Sequence, residues 1–176
     1  QEDEAIDIPA RLAELAAYLK EETERLGLPM PRFLMEPGRS IVADAGMTLY
    51  TVGSVKRIPG YKQYAAVDGG MTDNPRYALY QSRYTVYHAH KSGSMERFDV
   101  VGRCCESGDI IQPGVELPGD TCRGDILTVC TTGAYNYSMA SNYNRLPRPA
   151  VVMLTPDRIY EAVRRETFAD LTALDL

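Results

Sequence analysis

The chain has 176 residues, enough for one domain with a hydrophobic core or for one domain together with part of another. Its net charge of −5 argues against a nucleic-acid-binding protein, which usually carries a basic surface. No apolar run approaches the roughly 20 residues that span a bilayer, so we expect no membrane association. The first residues are acidic and unlike a secretory signal, which predicts a cytoplasmic location. The cysteines match no zinc-ligand spacing, and we expect free thiols.

Residues 9–26 are predicted to form an amphipathic helix, because apolar side chains recur at helical spacing among charged ones. Pro9 suits the first helical turn, and Gly27 suits the position just beyond the helix end. Residues 32–35 are largely apolar and predict a short buried strand. One helix and one strand cannot cover their own faces, so we expect this pair to belong to a larger α/β domain.

The sequence Glu-Pro-Gly-Arg-Ser, residues 36–40, follows that strand, and a short helix is predicted over residues 41–45. Gly38 leaves room for an anion beside the free backbone N–H groups of a helix start. Arg39 adds a forked donor for phosphate or carboxylate. An ordinary strand-to-helix turn is the alternative interpretation, and for a motif this short it is the commoner one.

From Met47 onward the sequence is rich in Val, Ile, Thr and Tyr and is divided by Gly, Pro, Asp and Asn. This pattern predicts an antiparallel β domain, a barrel or a sandwich, with a short helix over residues 167–174. The predicted strands cover residues 48–58, 64–67, 83–90, 98–103, 125–130, 150–154 and 158–163. His88 and His90 share a strand face; they could bind a metal as a pair, but no third ligand is evident, and a half-buried strand face is the alternative.

Residues 104–109, Cys-Cys-Glu-Ser-Gly-Asp, place a thiol beside a carboxylate in a turn. Such a turn can return a proton to a reacting carbon and hold a charged ligand, although a buried cysteine is the simpler interpretation. Residues 73–80 are a polar loop that carries Arg76 and Tyr80, and Tyr135 follows a later strand. Arg76 can bind a carboxylate through two hydrogen bonds, with a surface salt bridge as the alternative. The alternative for Tyr135 is a core tyrosine with a paired hydroxyl.

Several motifs together resemble the diaminopimelate decarboxylase family, a branch of the fold-type III decarboxylases, over nearly the whole chain. They occur in the order found in that family: Glu36-Pro-Gly-Arg39, Asp73-Asn-Pro-Arg76, Ala78-Leu-Tyr80, Cys105-Glu-Ser-Gly-Asp109 and Gly133-Ala-Tyr135. The Asp-Asn-Pro-Arg loop is similar to this branch rather than to the ornithine and arginine decarboxylases.

The resemblance implies a homodimeric enzyme that uses pyridoxal 5′-phosphate to release carbon dioxide from meso-diaminopimelate, giving L-lysine. It implies an N-terminal (β/α)8 barrel and a C-terminal β domain of the alanine racemase type. Residues 1–46 would be a remnant of the barrel, and residues 47–176 would be the β domain. The lysine that binds the cofactor covalently is not in this sequence. We therefore expect the chain alone to be inactive and to bind the cofactor weakly or not at all.

The resemblance also implies the residues of the active site, with no metal. Those expected at the cofactor are Glu36, Gly38, Arg39 and Tyr135. Those expected at the substrate are Arg39, Arg76, Tyr80 and Glu106. Arg76 and Tyr80 would hold the distal amino-acid end, and Glu106 would take its ammonium. Cys105 would return a proton to the carbanion left when carbon dioxide departs, in the active site of the partner subunit.

Two alternatives stay open at this point. One is another fold-type III decarboxylase, acting on ornithine, arginine or carboxynorspermidine. The other is a non-catalytic dimerisation or regulatory module that retains the β domain. A native gene product much longer than this chain favours the enzyme over the module.

Overall fold

A computed structural model describes residues 6–176, and the chain divides into two compact units. The first unit ends at Pro37 and the second begins at Gly38. The boundary predicted between residues 46 and 47 concerns a larger protein and stays a prediction. No helix among the described residues has both the length and the apolar character needed to cross a membrane.

The first unit contains the predicted amphipathic helix, α1 (Ile8–Leu26). Its start is capped by Asp7, whose side chain accepts a hydrogen bond from the Ala10 backbone N–H at 3.0 Å. Its end is set by Gly27, which takes up the left-handed conformation with φ of 64°. The helix prediction is therefore confirmed, and its sequence signals at both ends act as expected.

The strand predicted over residues 32–35 is wrong for this structure, because those residues adopt no regular secondary structure. Phe33, Leu34 and Met35 are all exposed. A strand is held by hydrogen bonds to neighbouring strands, and α1 is the only regular element among residues 6–37. The apolar run thus has no partner within this unit.

Six strands of the second unit form one sheet, in the order β3-β6-β1-β2-β4-β5. They are β1 (Met47–Ile58), β2 (Lys62–Val67), β3 (Val86–His88), β4 (Met95–Val101), β5 (Ile110–Pro118) and β6 (Ile126–Cys130). The two edge strands, β3 and β5, approach each other. The backbone N–H of Tyr84, just before β3, donates a hydrogen bond to Gln112 Oε1 on β5 at 2.8 Å. The sheet therefore nearly closes into a barrel.

The other elements are short. They comprise α2 (Arg39–Val42), α3 (Arg76–Tyr80), the hairpin β7 (Val151–Leu154) with β8 (Ile159–Val163), and α4 (Phe168–Thr172). The helices predicted over residues 41–45 and 167–174 correspond to α2 with the 3₁₀ turn that follows it and to α4. Thr167 and Asp170 form a capping box at the start of α4.

The predicted mainly-β barrel is confirmed, with one correction to its strand directions. β2 and β4 run parallel, with Tyr64 opposite Asp99 and Ala66 opposite Val101. Parallel neighbours need a long connection, and the chain between them crosses the barrel to form β3 beside β6. The other pairings in the sheet are antiparallel, as predicted.

Most of β5 lies outside the strands predicted from the sequence, and it contains Pro113 and Gly114. In the structure Gly114 has φ of 67°, and its backbone N–H donates to Asp99 Oδ1 at 2.8 Å. The neighbouring β4–β5 pairing shifts register between Phe98 and Val100. A side-chain carboxylate thus replaces a ladder hydrogen bond at this irregularity, which lets the strand continue through a glycine.

The hydrophobic core lies inside the barrel and is formed by inward side chains of all six strands. Its members with no solvent exposure are Val52, Ala65, Phe98, Val100, Ile111, Leu117, Leu127 and Val129. Burial alternates along β6, as the two-residue period of a strand requires.

Replacing Phe98 with alanine is expected to lower the free energy of unfolding by about 3–5 kcal/mol, because it removes a fully buried ring and leaves a cavity. The matched variant Phe168→Ala, at a side chain that is 76% exposed, should change it by about 0.5 kcal/mol or less. Chemical denaturation of both variants measures the difference. Equal losses would place the core elsewhere.

Candidate active site

Two arginines and two tyrosines of the second unit lie face to face, three of them on the short helices α2 and α3 and one in a loop. The Arg39 guanidinium carbon is 5.4 Å from the ring centroid of Tyr135, and that of Arg76 is 5.3 Å from the same ring. Arg76 also lies 4.9 Å from the ring centroid of Tyr80, one helical turn away. Cation–π attraction operates at such distances. We call these residues the arginine–tyrosine cluster.

Gly46 and Gly133 allow the backbone near Arg39 to lie against the loop that carries Tyr135. The Gly133 backbone N–H donates to the Ala43 carbonyl at 2.9 Å, and the Thr132 N–H donates to the Gly46 carbonyl at 3.0 Å. A Cβ at Gly133 would overlap the carbonyl oxygen of Val42. Only glycine permits this approach, which sets the α2 segment beside the loop that carries Tyr135.

The backbone at both ends of this contact adopts unusual conformations. Gly38, which precedes α2, has φ of 55° and ψ of −109°, a region that side chains other than glycine avoid. Tyr135 has φ of 72°, which costs a non-glycine residue on the order of 1–3 kcal/mol. Its ring is 44% exposed, so burial of the ring does not explain the strain. Tyr135 is therefore not the core tyrosine that was the alternative interpretation.

Arg76 occupies the first position of α3, so the predicted polar loop over residues 73–80 is helical in its second half. Its Nη1 lies 3.6 Å from Met139 Sδ, and its Nε is buried without a hydrogen-bond partner. Within residues 6–176 neither Arg39 nor Arg76 forms an ion pair with a carboxylate. The surface salt bridge considered for Arg76 is thus absent from this structure.

The turn over residues 104–109 forms a second cluster. The Cys105 backbone N–H donates to Asn144 Oδ1 at 2.9 Å, and the Tyr143 hydroxyl lies 3.5 Å from Glu106 Oε2. Hydrogen bonds from the Gly108 backbone N–H and the Ser107 hydroxyl lower the pKa of Glu106. The turn therefore presents an exposed thiol beside an ionised carboxylate, and we call it the cysteine–glutamate turn.

The buried carboxylate of Asp109 holds this turn against the preceding loop. It accepts backbone hydrogen bonds from Met71 and Cys104, each at 2.6 Å. A Cβ at Gly70 or Gly102 would collide with the carboxylate, so both glycines are needed to let it approach the backbone. One carboxylate thus links the loop that leads to Arg76 with the turn that carries Cys105.

The two adjacent cysteines differ in their surroundings. Burial, followed by the nearby Asp109 carboxylate, raises the pKa of Cys104 to about 11, so its thiol stays protonated at neutral pH. Cys105 is exposed. Cys105 therefore carries the accessible thiol of the turn, whereas Cys104 faces inward and packs against its neighbours.

The structure thus sorts the predicted site residues into groups. Arg39, Arg76, Tyr80 and Tyr135 form the arginine–tyrosine cluster, and Cys105 and Glu106 form the cysteine–glutamate turn. Gly38 begins α2 beside Arg39. Glu36 lies in the first unit, where its side chain is exposed. The roles assigned to these residues stay predictions.

Sequence reasoning missed the partners that hold these groups. They are Tyr50, Met139, Tyr143 and Asn144; Asp109 stood in a recognised motif, but its buried role as an acceptor of backbone hydrogen bonds was not predicted. A weak signal existed for Asn144, since asparagine tolerates the left-handed conformation that it adopts with φ of 57°. The other partners lie tens of residues from the groups that they contact, or carry no motif, so no local pattern marks them.

His88 is not arranged as a metal ligand paired with His90. Its Nδ1 accepts backbone hydrogen bonds from His90 and Lys91 at 3.2 and 2.9 Å. Its Nε2 must then carry the proton, and it lies 3.1 Å from Asp125 Oδ2. No group of three or more potential metal-binding side chains occurs in the part of the chain that the structure describes.

Comparison with known proteins identifies the family. A family model described as pyridoxal-dependent decarboxylase, C-terminal sheet domain, matches residues 17–133. The chain belongs to this family. It is 47% identical to diaminopimelate decarboxylase of Bacillus subtilis over 178 aligned residues and 40% identical to that of Staphylococcus aureus over 174. The alignments cover 100% and 98% of this chain but only 40% and 41% of those relatives.

Solved structures of decarboxylases share the same fold. A diaminopimelate decarboxylase from M. jannaschii in complex with L-lysine matches with a TM-score of 0.90 and 32% identity, over 100% of this chain and 40% of that one. A lysine/ornithine decarboxylase from Vibrio vulnificus matches with a TM-score of 0.63 and 26% identity, over 77% of this chain and 36% of that one. This pyridoxal-dependent decarboxylase domain is thus more similar to the first structure than to the second.

The contrast between the adjacent thiols of this decarboxylase domain predicts selective alkylation. At pH 8, iodoacetamide should label Cys105 well before Cys104, because a thiol with a pKa of about 11 supplies few thiolates at that pH. Tandem mass spectrometry of the shared peptide locates the label. Cys122, which is also exposed, is the matched control for accessibility. Equal labelling of Cys104 and Cys105 would contradict the described burial of Cys104.

Proposed function

We propose that the chain is the C-terminal part of a diaminopimelate decarboxylase that releases carbon dioxide from meso-2,6-diaminopimelate to give L-lysine. The observation that carries the proposal is the pair of guanidinium groups, Arg39 and Arg76, which stack on Tyr135 and have no carboxylate partner among the described residues. An arginine held in this way is a receptor for an anion from outside the chain. The relatives that align over nearly all of this chain are diaminopimelate decarboxylases.

The fold comparison favours this substrate over the alternatives within the family. The TM-score falls from 0.90 for a diaminopimelate decarboxylase to 0.63 for a lysine/ornithine decarboxylase. Ornithine has one carboxylate, whereas diaminopimelate keeps a second carboxylate after the first is lost. A second arginine without an internal partner suits the substrate with the extra carboxylate.

The residues at the start of α2 fit the phosphate of pyridoxal phosphate. Gly38 leaves the approach free of a side chain, and Arg39 supplies a positive charge that no described carboxylate neutralises. Tyr135 holds the other face of that guanidinium. When bound, pyridoxal phosphate supplies an electron sink for the electrons of the broken carbon–carbon bond. In the proposal Arg39 and Tyr135 hold and orient it.

Arg76 and Glu106 would bind the end of the substrate that does not react. The Arg76 fork would bind the distal carboxylate through two hydrogen bonds, with Tyr80 holding the guanidinium plane. The Glu106 carboxylate, kept ionised by its hydrogen bonds within the turn, would accept the distal ammonium. Amines that lack this end would leave both groups unpaired, which gives selectivity.

Cys105 would donate a proton to the carbon that has lost carbon dioxide. Its thiol is exposed at the cysteine–glutamate turn, whereas that of Cys104 is partly buried and held protonated. No recorded contact joins the thiol of Cys105 to the arginine–tyrosine cluster within the described residues. We include in the proposal a cytoplasmic homodimer in which each turn serves the partner's site, as the resemblance to the family implies.

Replacing Arg76 with lysine in the full-length enzyme tests the proposal directly. Lysine keeps the charge but loses the fork, and a hydrogen bond to a charged group contributes roughly 1.5–3 kcal/mol. The ratio kcat/KM for meso-diaminopimelate should fall about tenfold or more. Arg145→Lys, at an exposed ion pair with Asp175, is the matched control and should leave the ratio unchanged. A ratio within about twofold of the parent for Arg76→Lys would remove Arg76 from the substrate site.

Mixing two inactive enzymes tests whether the sites are shared. One carries Cys105→Ala, which should slow proton return by about 10²–10⁴-fold. The other lacks the lysine that binds the cofactor in the N-terminal part. If Cys105 serves the partner, a mixed dimer holds one site with both defects and one intact site, so activity reappears.

The control for that experiment is each inactive enzyme incubated alone under the same exchange conditions. Native mass spectrometry counts the mixed dimers. Mixed dimers without any recovery of activity would place Cys105 in the site of its own subunit.

A further inference from the structure

The hydroxyl of Tyr50 reaches from the barrel core to the loop that precedes α3. We infer that Tyr50, through its hydrogen bond to Asp73, is a positioning residue that fixes where Arg76 presents its guanidinium to the substrate. The inference rests on the proposed function, because it concerns the residue that would bind the distal carboxylate. It adds a residue, buried at a distance from the substrate, that determines specificity.

The carboxylate of Asp73 lies at the centre of a closed turn. One oxygen accepts the Tyr50 hydroxyl, and the other accepts the Gly70 backbone N–H at 2.9 Å. The Asn74 backbone N–H donates back to the Gly70 carbonyl at 2.8 Å. A Cβ at Gly69 would overlap the Tyr50 ring and Asp73 Oδ1, so the turn lies directly on the tyrosine.

Tyr50 is a rigid base for this turn. Its side chain is 3% exposed and belongs to the core cluster of the barrel. Its backbone pairs with Leu127 within the β1–β6 ladder. The hydroxyl therefore has a fixed place in the barrel, and a carboxylate that accepts its hydrogen bond is fixed with it.

A short, buried stretch of backbone connects this turn to Arg76. Asn74 is 1% exposed, and Pro75, also buried, has φ of −77° as it enters α3. The Leu79 backbone N–H donates to the Pro75 carbonyl at 3.0 Å, which joins the turn to the helix. Little conformational freedom separates Asp73 from the first residue of α3.

The side-chain contacts of Arg76 do not by themselves fix its direction. They consist of two tyrosine faces and a sulfur atom, and its Nε has no hydrogen-bond partner. Contacts to ring faces tolerate a wide range of orientations, whereas a bidentate bond to a carboxylate does not. The backbone fixes the point from which the Arg76 side chain departs, and the Tyr50–Asp73 bond anchors that backbone.

Three variants of the full-length enzyme test the inference. Tyr50→Phe removes the hydroxyl but keeps the ring; KM for meso-diaminopimelate should rise about tenfold, with kcat changed by less than about threefold. Asp73→Asn should stay within about threefold of the parent in KM, because the amide still offers an oxygen to Gly70 and an N–H to the Tyr50 oxygen. Val52→Ala, a core variant on the same strand, should lower the Tm but leave KM unchanged.

A purely structural role for Tyr50 predicts different changes in the Tm and KM of these variants. Tyr50→Phe would then lower the Tm with KM unchanged, or Val52→Ala would raise KM as much as Tyr50→Phe, and either result overturns the inference. Should Tyr50→Phe not fold, Asp73→Ala removes the acceptor without changing the core, and an unchanged KM in that variant overturns the inference equally.

The failure of this inference can be distinguished from failure of the proposed function. A raised KM in Arg76→Lys together with an unchanged KM in Tyr50→Phe overturns the positioning role alone. An unchanged kcat/KM in Arg76→Lys overturns the substrate role of Arg76, and the positioning inference falls with it.

Discussion

The buried carboxylate of Asp109 is the interaction on which the described site depends. By accepting the backbone N–H groups of Met71 and Cys104 at 2.6 Å, it ties two loops that are far apart in sequence. A buried charge is costly unless its hydrogen bonds are made, so the glycines that admit the backbone to it are as necessary as the carboxylate. Gly70 and Gly102 provide that access.

A similar use of buried acids leaves the arginines unneutralised. Asp73 is only three residues from Arg76, yet its carboxylate is taken by the Tyr50 hydroxyl and the Gly70 N–H. Burial also raises the pKa of Asp73, which weakens it further as a counter-ion. The loop thus satisfies its own acid internally and leaves the Arg76 guanidinium without a carboxylate partner among residues 6–176, although the chain as a whole is acidic.

The sequence predicted elements whose signals are local and missed those that depend on distant partners. Pro9 and Gly27 marked α1 because caps act within a few residues. β5 was missed because Gly114 bonds to the Asp99 side chain, a contact that no local pattern reveals. Motif order selected the candidate residues, but no spacing rule could show that Tyr135 and not Tyr143 stacks on both arginines.

The two clusters carry opposite charge, and this asymmetry constrains what they can bind. The arginine–tyrosine cluster is cationic and rigid, since Tyr135 is held in a strained conformation and Arg76 follows an anchored turn. The cysteine–glutamate turn is anionic and exposed, and its carboxylate bonds to its own backbone. A ligand that engages both must present an anion to one and a cation to the other. An amino-acid end, with a carboxylate and an ammonium on one carbon, meets that requirement, and a simple diamine does not.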